Sequence, residues 1–147
     1  MNGTRLMNRL ASTLAVTGAT ALAALTLTGC GADATPTFTK DAADETPVVV
    51  TLSATDIDDV PLADGTVRVL GDDASAMEVF EWFFEQNDVA FTHDGGLIKV
   101  VGDLAGDQTQ GWMIYVNDEK AQVGAASLIP NDGDVIELRF VDYASLS

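Results

Sequence analysis

Residues Gly111 to Tyr143, GWMIYVNDEKAQVGAASLIPNDGDVIELRFVDY, decide the fold. The stretch opens on an aromatic and β-branched run, Gly111–Val116, and closes on another, Val135–Tyr143; such residues favour a pleated, half-buried surface. Between them stand two turn signals. Asn117 and Asp118 both tolerate the positive φ that a two-residue hairpin needs, so Gly111–Val116 is expected to fold back into Glu119–Val123. Pro130-Asn-Asp-Gly-Asp134 introduces the last arm. There Ile136, Leu138 and Phe140 point one way, and Glu137 and Arg139 the other. This alternation predicts a sheet with one covered face and one wet face.

Working outward, the cover for that face is found upstream. In AMEVFEWFFEQN, Ala76, Val79, Phe80, Phe83 and Phe84 recur at helical spacing and form one apolar stripe, with Glu78, Glu81 and Glu85 opposite. Ser75 and Glu78 have the spacing of a capping box, so a helix is predicted over 76–87. Trp82 lies off the stripe, at the helix border or free to touch a ligand. Before the helix, Pro47–Ser53 and Thr66–Leu70 read as strands, separated by an acidic turn region over Thr55–Gly65. After it, Asp94-Gly95-Gly96 reads as a tight turn between two short strands within Val89–Val101, with His93 at the turn edge. Gly102–Gln110 reads as a polar loop. The resulting class is α+β, one amphipathic helix packed on a mostly antiparallel sheet, with β-grasp-like topology. A ferredoxin-like plait needs a second helix, and no second stripe of that period is present.

The chain begins with a targeting pattern. Arg5 and Arg9 precede an uncharged run from Leu10 to Leu27, and Leu27-Thr28-Gly29-Cys30 resembles the bacterial lipobox. The resemblance implies diacylglyceryl transfer to the Cys30 thiol, cleavage after Gly29 and acylation of the new amine. Acyl chains such as palmitate gain about 0.8 kcal/mol per buried CH₂, so two or three of them hold a small domain on a bilayer. The expected organisation is a lipoprotein signal peptide over 1–29, a flexible acidic tether over 30–46 and one folded domain over 47–147. The protein is thus expected to be anchored to the cell membrane and to face outside the cytoplasm, in the periplasm or at the cell surface.

Charge narrows the partners. The chain has 23 acidic and 7 basic residues and a net charge of −16, and cleavage after Gly29 would remove two arginines and no acid. So acidic a body is repelled by nucleic acid and by anionic membrane surfaces. Cys30 is the sole cysteine, which excludes an intramolecular disulfide. No nucleophile–base pair, glycine-rich phosphate loop or Cys/His metal cluster is present, so no enzyme activity, cofactor or metal site is expected. The acidic clusters at Asp56, Asp58 and Asp59, at Asp72 and Asp73, and at Asp132 and Asp134 lack EF-hand spacing and read as solvated loop charge.

Gly111-Trp112-Met113, Val116-Asn117, Gly124, Leu128, Asp132-Gly133-Asp134 and Ile136-Glu137-Leu138-Arg139 resemble the transcobalamin-like C-terminal domain, a small β-rich module of vertebrate cobalamin carriers and of bacterial surface lipoproteins. In the carriers this module closes over the corrin from one side while a larger helical domain supplies the other, and this chain has no room for that helical domain. The family's hairpin often carries Asn-Gly where this chain has Asn117-Asp118. The resemblance implies a small-ligand-binding module, for a corrinoid-like molecule or its uptake, with Trp112, Met113, Tyr115 and Trp82 as candidate contacts. Trp112 shares a strand face with Ile114 and Val116 and is expected in the core, whereas Met113 and Tyr115 face outward. The alternative is an interaction or envelope-structural module that docks on a transporter or envelope protein through its wet sheet face or an edge strand.

Overall fold

The computed structural model describes residues 34–41 and 46–147. The expected signal peptide, Cys30 and the remainder of the expected tether lie outside the described residues. Among those described, no helix is long and apolar enough to cross a membrane.

In chain order the elements are β1 (Thr37–Thr39), β2 (Val48–Thr55), β3 (Pro61–Leu70), α1 (Ala76–Gln86), β4 (Phe91–Asp94), β5 (Leu97–Val101), β6 (Leu104–Ala105), β7 (Gln110–Val116), β8 (Glu119–Lys120) and β9 (Val135–Asp142), followed by a 3₁₀ turn over Tyr143–Leu146. Six strands form one sheet in the order β1-β3-β2-β9-β7-β8, and β4-β5-β6 form a second, antiparallel one. The fold is α+β. In the large sheet β1 runs parallel to β3 and β2 parallel to β9, while the other neighbours are antiparallel.

The helix seals one face of the large sheet. Val50, Leu52 and Ala54 of β2, Val67 and Val69 of β3, Trp112 of β7 and Ile136, Leu138 and Phe140 of β9 are buried together with Ala76, Met77, Val79, Phe80, Phe83 and Phe84 of α1. Ile98 and Val101 carry the small sheet into the same core. Phe80 and Phe84 are fully buried and stacked with ring centroids 5.7 Å apart; burying a side chain of that size is worth about 1.5–3 kcal/mol. The capping box forms as its spacing predicts, with the Ser75 side chain and the Glu78 carboxylate each serving the other's backbone amide. The next free amides of the helix find partners in a loop: Ala76 N–H donates to Leu128 C=O at 2.7 Å and Met77 N–H to Ala125 C=O at 3.0 Å. That loop is thereby pinned to the core.

Several expectations are corrected. The acidic turn shrinks to the residues between β2 and β3, and β3 begins at Pro61. Pro61 is the first residue of its strand, where a missing N–H costs least, and Gly65 lies so close under Phe83 that a Cβ there would sit 3.1 Å from the ring. Both residues look like turn formers and both serve a strand. The expected polar loop over 102–110 contains β6, and of the arm over 119–123 only Glu119 and Lys120 pair. Within the stretch read as tether, Thr37–Thr39 form an edge strand on β3. Phe38 supplies the apolar contact, edge-on to Trp82 with centroids 5.9 Å apart, and Lys40 Nζ lies 2.9 Å from a Glu78 carboxylate oxygen.

A candidate ligand groove at the free edge of β7

The turn at Asn117-Asp118 forms as its residues allow, with φ of +52° and +67°. It makes β8 a stub: Tyr115 pairs with Lys120 and Val116 with Glu119, and pairing ends there except for Ala121 N–H donating to Ile114 C=O at 2.9 Å. At the other end of β7, Asp107 N–H donates to Gln110 C=O at 2.8 Å, and the Asp107 carboxylate accepts from the amides of Thr109 and Gln110 at 2.6 and 2.9 Å. Those amides hold the Asp107 carboxyl below its ordinary range. Between these two blocks the middle of β7 has no strand neighbour on its outer side.

A groove of about 260 Å³ opens along this gap. One wall is the tip of β5 (Gly96, Leu97 and Ile98), the floor is Trp112, Met113 and Ile114, and the other wall is Ala121 to Ala125. Leu97 and Val123 stand at its lips, 54 % and 47 % exposed. No ionisable side chain lines it. Four other grooves on the molecule each carry at least one carboxylate: Asp72 and Asp132, Glu119 and Asp134, Asp64, or Asp56, Asp88 and Asp103. Among the described residues no group of three His, Cys, Asp or Glu side chains is arranged to hold a metal ion.

The four aromatic and thioether candidates separate. Trp112 is buried, packs on Phe140 with centroids 5.0 Å apart and donates its indole N–H to Leu104 C=O at 3.2 Å. It forms the groove floor from the core side. Met113 reaches the groove as well. Tyr115 does not: it lies on the wet face beneath the Arg139 guanidinium, whose carbon is 4.4 Å from the ring centroid. Arg139 also pairs with Asp118 at 2.8 Å and with Glu137, so the wet face is held by its own charges. Trp82 contacts Phe38 of β1, a strand at the opposite edge of the sheet from β7. His93 lies exposed on β4, 3.9 Å from a Glu81 carboxylate oxygen.

Sequence reasoning missed Leu97, Ile98, Gln122 and Val123. Leu97 had a local signal, an apolar residue immediately after the Gly95-Gly96 turn; the others had none, because segments far apart in sequence build the groove.

Comparison with known proteins places this architecture. Residues 73–142, from just before α1 to the end of β9, match the family model described as Domain of unknown function (DUF4430). No curated protein matches the chain. Among solved structures, haptocorrin in complex with Cbi is similar at a TM-score of 0.53 and 16 % identity, over 70 % of this chain and 27 % of that one. The chain therefore spans about a quarter of haptocorrin's length, and the likeness is one of fold. A protein from Ruminococcus gnavus ATCC 29149, provisionally described as metal-binding, is similar at a TM-score of 0.48 and 21 % identity, over 65 % of this chain and 97 % of that one.

Proposed function

We propose that the chain is a β-grasp-like ligand-binding module and that the groove at the free edge of β7 is its site. The observation that carries this reading is chemical. On a chain with 23 acidic residues, this concavity alone among the five described is lined without any charge, and its lips are apolar and exposed. An apolar concavity with a few polar backbone groups is the usual form of a small-molecule site. The ligand class that fits is an uncharged molecule with an apolar edge. A corrinoid-like molecule is the first candidate, supported by the motif around Gly111–Arg139 and by the likeness to haptocorrin. A groove of about 260 Å³ is smaller than the ~300–1,000 Å³ usual for enclosing a drug-sized ligand. A corrinoid would be gripped by one edge and left open elsewhere, for a second protein to cover or receive. Binding without chemistry is the reading, and no enzymatic role is proposed.

We further propose that the module is a lipoprotein, held through Cys30 on the outer side of the cytoplasmic membrane or at the cell surface, where a transporter or envelope protein could take the ligand from it. The supporting observation is the order of basic residues, apolar run and lipobox at the N-terminus.

Equilibrium titration of the protein with cobalamins and other tetrapyrroles, read by heat and by Trp112 fluorescence in a Trp82→Phe background, tests the site. Binding is expected to weaken at least about tenfold in Val123→Asp, which places a carboxylate on an apolar lip. Equal binding by the variant would remove the groove as the site, and no binding of any tetrapyrrole would remove the ligand class.

A further inference from the structure

We propose that the gap in β7 receives an extended peptide segment of a partner protein, which adds to the sheet as a short strand and is uncharged over the few residues lying in the groove. The proposal rests on the groove being the binding site and not on the ligand class named above.

The backbone of β7 supplies the argument. Val116 and Glu119 close the two-residue hairpin, and Ile114 C=O accepts from Ala121, so the even-numbered residues of β7 turn their peptide groups away from β9. Gln110 obeys the same alternation, since its N–H and C=O are both taken by Asp107. Trp112 lies between them with the same orientation. Among the described residues neither its N–H and C=O nor the Ile114 N–H is taken by a ladder partner or by a loop. These three groups point into a groove without a charged side chain. Donor, acceptor and donor at strand spacing are what the edge of a sheet offers to an added strand, and apolar lips at Leu97 and Val123 would flank its side chains.

Shape selects the occupant. The gap is recessed, because the Asp107 turn closes it at Gln110 and the β8 hairpin closes it at Ile114. A second copy of this chain would present the same recessed edge, and two such recesses cannot interlock. It would also bring a second net charge of −16 to the contact. A free-standing segment of about three residues fits, and the acidic surroundings favour one with basic residues outside the groove.

The test uses the full chain, ¹⁵N-labelled in detergent, and a blocked peptide of sequence Lys-Val-Thr-Val-Thr-Val-Lys. In the free chain the amides of Trp112 and Ile114 are expected to exchange hydrogen at least about tenfold faster than those of Met113 and Tyr115, which face β9. Slow exchange there before any addition means the edge is already paired and overturns the proposal. Saturating peptide is expected to slow both amides by a similar factor. Two further peptides are methylated on the valine nitrogens or on the threonine nitrogens. An added strand uses one set of amides, so one methylated form keeps the effect and the other loses it. Equal behaviour of the two overturns strand addition. Resonance shifts at Leu97, Ile98 and Val123 without slowed exchange at Trp112 and Ile114 keep the groove as a binding site and overturn the strand. The absence of both responses overturns the strand and the groove together.

Discussion

A side chain at Gly111 has little room. A Cβ there would collide with the Tyr143 hydroxyl and lie 2.8 Å from the ring carbon that bears it, in a residue whose N–H is held by Thr109 C=O at 2.8 Å. The glycine is kept by this close approach, since its φ is not in the left-handed region. The Tyr143 ring end is exposed and can swing aside, so Gly111→Ala is expected to destabilise the protein by about 1 kcal/mol or less, below the usual cost of overpacking a core. Adding Tyr143→Ala should recover most of that loss, and a double-mutant cycle by chemical denaturation measures the coupling. Additive losses would show that Tyr143 is not what the alanine meets. At this scale the sequence was legible wherever alternation held. Trp112 inward, Tyr115 outward and the division of Val135–Asp142 into two faces all follow from strand period. What local periodicity could not tell was which neighbour each side chain would meet: the Arg139 charge over Tyr115 and the Phe38 ring beside Trp82 come from elements distant in the sequence.

Among the elements, the N-terminus of α1 joins the most parts. The Glu78 carboxylate accepts from the Ser75 amide at 2.9 Å and the Ser75 hydroxyl at 2.8 Å, and it meets Lys40 from the β1 segment. The Ser75 amide, then burial working against it, then Lys40 set its pKa, and the net result lies below the ordinary 4.5. A carboxyl whose folded pKa is lowered contributes stability that is present above the ordinary value and lost as pH falls through the lowered one. Glu78→Gln should therefore be less stable than the parent near neutral pH, with the difference shrinking as pH drops below 4.5, measured as denaturation midpoints across that range. A difference independent of pH would contradict it. Ser75→Ala should cost about 1 kcal/mol near neutral pH and less once Glu78 is protonated, because the Ser75 hydroxyl also donates to that carboxylate. The helix and its cap were readable because both signals are local, lying within a few residues of one another. β1 was not, because TFT earns its place only through a partner strand about thirty residues away and an aromatic contact more than forty residues away.

For the molecule as a whole, the class could be read and the topology could not. Strand, helix and strand in that order indicate α+β, but nothing local pairs Thr51–Thr55 with Val135–Arg139 in parallel, or divides the strands between two sheets. The groove depends on that wiring, since its walls come from Gly96–Ile98, Trp112–Ile114 and Ala121–Ala125. The proposed membrane attachment belongs to this scale too. Cys30→Ser is expected to leave the protein unprocessed and to abolish labelling by a clickable palmitate analogue in cells. Unchanged processing and labelling would remove the anchor from the account.

The position of β1 has one more consequence. It enters the sheet at one margin and β7 lies four strand intervals away, roughly 19 Å at the usual strand spacing. Anything that grips the polypeptide ahead of Ala34 therefore holds it by a handle on the side remote from the mouth. Load on that handle is borne first by the three-residue strand Thr37–Thr39, with the Phe38 contact inside it and Lys40 just after it, so a tug would peel this seam before it disturbed the strands that line the proposed groove.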